Sequence, residues 1–293
     1  MLAADPPPTA GPRWEQADVI ADDGARLRSY AAGPAGRPAI VIASACGMPV
    51  QLCGHWLAFL AADYRVLTWE TRGLFGDLGG PAAFDGLGHG LGDQATDLLA
   101  VMDHHGVATA HFMGLCGGAV IALRAAADQP GRASSLSLWH GDFSGSPGPT
   151  TSHQENLKAL MAIASQSRED AEAINAALSQ AATAEVPPEL ADLVSYPYRS
   201  PELFYRYCVL TGATMNTDVS GALSGIGQPA LVVTSEDDHT AHPGGSHCAA
   251  RVLPRAVLEV EPHGDHLSAF GAGPRLRQLM TSFLNGQGKA SHG

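Results

Sequence analysis

Cys116 stands in the stretch Gly114-Leu115-Cys116-Gly117-Gly118, between an apolar run at residues 110–113 and a helix-like run at 119–129. A small-x-nucleophile-x-small pattern between a strand and a helix marks a nucleophile elbow. The turn is tight and strained, so its neighbours must be small, and the strain aims the nucleophile out of the sheet. A thiol there, at a helix N-terminus, is set up to react as thiolate. The bland alternative is a buried, inert cysteine, the common fate of a free thiol; the flanking glycines argue against it. Cys53, Cys208 and Cys248 have no such surroundings and are assigned to packing.

A thiol nucleophile needs a base, and thirteen histidines compete for that role. His266 and His263 lie together near the end of the chain, His104 and His105 end a helical run, and His140 follows a strand. Acids that could orient the base are Asp237 and Asp238 after another strand, with Asp142 as a third candidate. Asp237, Asp238, His239, His242 and His247 crowd one loop, and His-x-x-His spacing can bind metal. That set lacks a regular scaffold such as one helix face, so no metal is expected.

Alternating strands and helices must position these groups. Strands are expected at residues 14–20, 25–30, 39–44, 64–69, 110–113, 134–139, 229–234 and 256–260, the first two forming a hairpin about Asp22-Asp23-Gly24. Helical runs at 52–62, 93–105 and 274–284 flank them. From about 143 to 226 no strong strand appears, and residues 157–164, 171–182, 188–194 and 201–210 look helical. This predicts an α/β protein: a mostly parallel eight-stranded sheet flanked by helices, with a helical cap. The expected divisions are a disordered leader at 1–13, a core at 14–142 and 227–285, a cap insertion at 143–226 and a tail at 286–293.

Several marks now occur in one order. Residues 65–69 run into Glu70-Thr71-Arg72-Gly73, similar to a D-x-R-G turn with departures at Glu70 and Thr71. The elbow about Cys116, the strand end Ser235-Glu236-Asp237-Asp238 and the late loop Gly264-Asp265-His266 follow. In this order the chain resembles the α/β-hydrolase superfamily from about residue 14 to 284. The resemblance implies Cys116 as nucleophile, His266 as base and Asp238 as acid, with Asp237 and Asp142 as competitors. Asp238 fits the family's spacing from Ser235, although Pro243 sits one residue later than usual. The resemblance also implies an oxyanion hole from the Gly117 N–H and one N–H of the loop Ser44-Ala45-Cys46-Gly47-Met48-Pro49, by position that of Cys46. Leu115, His140 and Tyr205 are expected to line the substrate site.

Most members of the family carry Ser where this chain has Cys116. A thiolate leaves more readily than an alkoxide, so an ordinary alkyl ester tends to expel Cys116 again. Thioesters, enol esters and other activated acyl groups suit it better. Dienelactone hydrolase shares this logic, but it has no cap and a bulky residue where this chain has Gly117. The expected activity is hydrolysis or acyl transfer through an acyl-cysteine. One alternative is a lyase in which His266 is the base and an acyloxy group such as acetate leaves, as in bacterial tetronate polyketide pathways. A second is a non-catalytic ligand-binding member of the fold.

The bulk properties are consistent with a small-molecule enzyme. The chain has 293 residues, enough for one large α/β domain with an insertion. A net charge of −12 argues against nucleic-acid partners. No run is long and apolar enough to span a membrane. Residues 1–12 lack a basic start and an apolar core, so a cytoplasmic protein is expected. Five widely spaced cysteines do not suggest a disulfide framework. There is no Gly-rich phosphate loop or dinucleotide fingerprint, and no cofactor is expected. The aromatic groups Tyr196, Tyr198, Phe204, Tyr205 and Tyr207, with Met161 and Met215, suggest an apolar, medium-sized acyl substrate beneath the cap.

Overall fold

The computed structural model describes residues 14–180 and 188–290. The expected leader at 1–13 and the last residues of the expected tail, 291–293, lie outside the described residues, as does 181–187 of the expected cap.

All eight expected strands are present: β1 (Glu15–Ile20), β2 (Arg26–Ala32), β3 (Ala39–Ala43), β4 (Arg65–Trp69), β5 (Ala110–Leu115), β6 (Ala133–Trp139), β7 (Ala230–Ser235) and β8 (Ala256–Glu261). They form one sheet in the order β1-β2-β4-β3-β5-β6-β7-β8. β2 pairs antiparallel with β1 and β4, and every other pairing is parallel. β5 and β7 are buried at every residue, which is why they read as unbroken apolar runs rather than alternating ones.

The helices are α1 (Gly54–Leu60), α2 (Pro81–Asp85), α3 (Leu91–His104), α4 (Gly118–Asp128), α5 (Ser152–Ala164), α6 (Arg168–Gln180), α7 (Pro188–Val194), α8 (Pro201–Met215), α9 (Ser220–Leu223), α10 (Pro243–Val252), α11 (Ser268–Gly271) and α12 (Pro274–Ala290). α3 and α4 cover one face of the sheet through Leu98, Met102, Val120 and Leu123. α1, α11 and α12 cover the other, where Trp56 and Trp139 meet with ring centroids 5.0 Å apart. The last helix continues to Ala290, so residues 286–290, expected as a frayed tail, extend it instead.

Helices α5 to α8 all fall between β6 and β7. α5 starts five residues earlier than its apolar spacing suggests, because a capping box at Thr151 and Gln154 satisfies its first N–H groups. Met161, Ala164, Leu203, Phe204 and Leu210 form a third apolar cluster together with Leu74, Phe75 and Phe84 from the connection after β4. This layer therefore rests on the loops at the C-terminal ends of the central strands.

Candidate active site

β5 delivers Cys116 at the sheet's C-terminal edge. Cys116 has φ 54°, a left-handed backbone that costs a non-glycine residue energy and persists only when its surroundings hold it. Here they do. Its N–H donates to Trp139 O at 3.0 Å, and its carbonyl accepts from Ala119 N at 3.0 Å and Asp142 N at 3.2 Å. A Cβ on Gly114 would stand 2.5 Å from Ala119 Cα, and one on Gly118 would overlap the Ala43 carbonyl. One on Gly117 would meet nothing, so the turn requires two of its three glycines. Cys116 lies directly ahead of α4, whose N-terminus favours negative charge.

His266 comes from the loop after β8. That loop is anchored where Trp56 Nε1 donates to Ala269 O at 2.6 Å. His266 lines the same cavity as Cys116, and its Nδ1 lies 2.8 Å from Asp238 Oδ2. Burial pulls the imidazole pKa down. The charge of Cys116 and the hydrogen bonds to Asp238 and Cys116 outweigh it and hold His266 well above its ordinary 6.5.

Asp238 is buried just after β7. Its Oδ1 accepts from Thr240 N and Ala241 N, both at 2.9 Å. Burial alone would raise its pKa, but hydrogen bonds from His140 and His266, the charge of His266 and the Ala241 N–H hold it far below the usual carboxylate range. The competing acids have other partners. Asp237 is exposed, 3.2 Å from the exposed His263. Asp142 Oδ1 accepts from Gln154 Nε2 at 2.7 Å and Ser144 N at 3.0 Å.

The loop after β3 faces Cys116 from the other side. Gly47, at φ 74°, donates its N–H to Thr71 Oγ1 at 2.9 Å, which gives the departure at Thr71 a role in fixing that loop. The Cys46 and Gly117 N–H groups have no acceptor among the described residues. The Cys46 thiol is pushed up to about 11 by burial, with hydrogen bonds to Thr211 and Thr71 opposing, so it stays protonated and does not compete with Cys116.

A cavity of about 220 Å³ opens over Cys116, Gly117, Cys46 and His266. Its walls include Met48, Leu52, Leu157, Leu267 and Phe270. Tyr207, Thr211, Thr214 and Met215 of α8 and His153 of α5 complete it. The three residues expected to line it do not. Leu115 is fully buried in the cluster beneath the sheet, because successive strand residues face opposite ways. Tyr205 lies two residues from Tyr207, about 200° around the helix, and stacks under Arg168, 4.4 Å from the ring centroid. His140 is buried behind the cavity, its Nδ1 3.1 Å from Asp238 Oδ2. His153, Thr211 and Thr214 carried no catalytic spacing; the capping box above His153 was the readable signal.

Among the described residues, His140, Asp238 and His266 bring ligand-type atoms within 4.8 Å of one another. Both Nδ1 atoms sit at hydrogen-bond distance from one carboxylate oxygen, the geometry of shared protons. Two histidines of the crowded loop go to separate partners: His242 Nδ1 accepts from Gly244 N at 3.0 Å, and His247 lies 3.6 Å from Glu236. No helix among the described residues is long and apolar enough to cross a membrane.

No family model matches the chain. An enol-lactonase from Burkholderia xenovorans LB400 superposes with a TM-score of 0.72 over 92% of this chain and 100% of that one, at 22% identity. The chain has the α/β-hydrolase fold. A thermophilic esterase from Thermogutta terrifontis shares that fold with a TM-score of 0.70, over 93% of this chain and 99% of its own, at 20% identity. Among curated proteins, one described as "Putative carbamate hydrolase RutD" from Variovorax paradoxus (strain S110) is 26% identical over 254 residues, 86% of this chain and 93% of that protein.

Proposed function

We propose that this protein is a hydrolase of activated acyl compounds that works through an acyl-Cys116 intermediate. The observation that carries the reading is that Cys116 and His266 line one apolar cavity while His266 Nδ1 lies 2.8 Å from buried Asp238 Oδ2. In this reading residues 143–226 form a cap whose α5 and α8 shape the acyl site.

In the resting site His266 holds the proton of Cys116, and ionised Asp238 stabilises that imidazolium. Its Nδ1 faces Asp238, which leaves Nε2 for the chemistry. The thiolate adds to the substrate carbonyl carbon, and the carbonyl electrons move to oxygen. The Gly117 and Cys46 N–H groups receive that oxyanion, each such donor being worth about 10²–10³ in kcat. The intermediate collapses with loss of the leaving group, which takes the His266 proton. Water, deprotonated by His266, then cleaves the thioester, releasing the acid and restoring the Cys116 thiolate beside protonated His266.

The nucleophile selects the leaving group, which must depart at least as readily as a thiolate. Thiols, phenols and enols meet that condition. The enol-lactonase name of one structural neighbour is consistent with it, and the RutD name adds activated carbamates as candidates. The cavity's size and apolar walls suit a small to medium acyl chain.

Wild-type and Cys116→Ala protein are mixed with aryl esters, acyl thioesters, activated carbamates and acetylated tetronate-like compounds. Intact mass and products are read together. The expected result is an acyl adduct on the wild type, or acid release, that the variant lacks. Acid loss that leaves an alkene, forms no adduct and survives in the variant would overturn the reading in favour of a His266-driven lyase.

A further inference from the structure

His140 is the buried histidine next to Asp238 that the proposed chemistry leaves unused. It follows β6 with φ 46°, a strained backbone for a non-glycine residue, and its N–H donates to Val233 O at 2.8 Å. The side chain is fully buried, and its Nδ1 reaches the same oxygen, Asp238 Oδ2, that His266 uses. Its Nε2 is buried and has no partner among the described residues. A proton on that nitrogen would be a buried donor with no acceptor, which is costly. The proton therefore sits on Nδ1, where the carboxylate accepts it.

We propose that His140 is a positioning residue: its Nδ1–H fills the last acceptor site of Asp238, fixing the carboxylate in its ionised form and aiming it at His266. The count of acceptor sites supports this. A carboxylate has about four lone-pair sites. Thr240 and Ala241 fill those of Oδ1, and His266 and His140 those of Oδ2. Without His140 the carboxylate holds its charge less well and is free to rotate away from His266. Strain at a left-handed residue is retained where the position does work, and here the turn swings the imidazole under Asp238.

The titratable groups that bear on Asp238 are His266 from the loop after β8, His140 from the end of β6 and, at longer range, His153 of α5. Asp237, next in the chain, turns outward to His263. Removing the His140 donor thus acts on the acid side of the profile, where Asp238 gains its proton. The sign is fixed: a carboxylate that loses a donor binds its proton at higher pH.

This inference rests on the acid and base roles given above to Asp238 and His266. Two variants test it. His140→Phe keeps a ring but removes the donor. His140→Asn keeps an N–H near the Nδ1 position and tolerates φ above zero. With an aryl ester, His140→Phe is expected to lower kcat about tenfold with KM unchanged; in unfolding measured across pH, it is expected to move the acid limb, where Asp238 gains its proton, up by about one pH unit. His140→Asn should return the limb toward its wild-type position. A proton NMR measurement on Cys116→Ala protein decides the point without any acyl chemistry, so it holds even if no adduct forms. Two downfield imidazole N–H signals are expected, and one should vanish when His140→Phe is added. An unmoved acid limb in folded His140→Phe, equal limbs in the two variants, or both downfield signals surviving without His140 would overturn the proposal.

Discussion

At the scale of single residues, the site is decided by a few atoms that leave no room. The elbow's glycines are not equivalent. Gly118 packs against the Ala43 carbonyl so closely that any Cβ overlaps it, while the same atom on Gly117 meets only open space. Gly118→Ala must therefore push β3 and α4 apart, at a cost of about 1–3 kcal/mol or more. Gly117→Ala, at an ordinary φ of −58°, should change stability by only about 0.5 kcal/mol. Chemical denaturation of the two variants checks this, and equal losses would contradict the packing described. The sequence reading required small residues at all these positions, because a motif records what a turn commonly uses and not which neighbour collides. The same limit explains His140 and Tyr205. A strand-following histidine reads as facing a pocket, and only the φ of 46° turns it beneath Asp238. Tyr205 and Tyr207 are indistinguishable in composition, and helix phase alone sends Tyr207 to the cavity and Tyr205 to Arg168.

At the scale of elements, α8 joins the helices over the cavity to the loop after β4. Its Arg206 is buried, with Nη1 donating to Gly73 O at 3.0 Å and Leu78 O at 2.8 Å, and Nη2 to Gly79 O at 3.4 Å and Gly80 O at 3.5 Å. Its Nε binds Glu202 at 2.6 Å. Few side chains reach so many carbonyls; a guanidinium does so because its donors fan out in one plane. Arg206→Met keeps the stem and removes the donors. Arg168 would still pair with Glu202, so the loss falls on the loop carbonyls. The expected cost is on the order of 2–3 kcal/mol in unfolding free energy. KM should rise, since α8 also supplies Tyr207, Thr211, Thr214 and Met215 to the cavity. A variant with wild-type Tm and KM would show that the anchor carries no load. Strands were legible because full burial makes them continuous apolar runs. α10 was less so: Pro243-Gly244-Gly245 opens it, and His242 supplies its N-cap through an imidazole nitrogen, a cap that composition does not advertise.

At the scale of the whole molecule, the sheet order gathers groups that are distant in sequence. β3, β5, β7 and β8 run parallel, so the loops carrying Cys46, Cys116, Asp238 and His266 all leave from one edge of the sheet, where ligands bind in open α/β sheets. Folding therefore brings Cys116, His266 and Asp238 together, and their protonation becomes linked to stability. Asp238 has a folded pKa below its unfolded value of about 3.9. Its contribution is present above that value and is lost as pH falls through the folded pKa. His266 is the opposite case, with its folded pKa raised above about 6.5. Its contribution is complete below that value and disappears as pH rises through the folded pKa. Unfolding of wild type, Asp238→Asn and His266→Gln across pH separates the two, because subtraction cancels the titrating groups remote from this pair and the two effects fall on opposite sides of the profile. The wild-type advantage over Asp238→Asn should shrink on the acid side. The advantage over His266→Gln should shrink on the alkaline side. An advantage over His266→Gln that instead grew with pH would mean that His266 folds as the neutral imidazole, and that no imidazolium is held beside Cys116 in the resting protein.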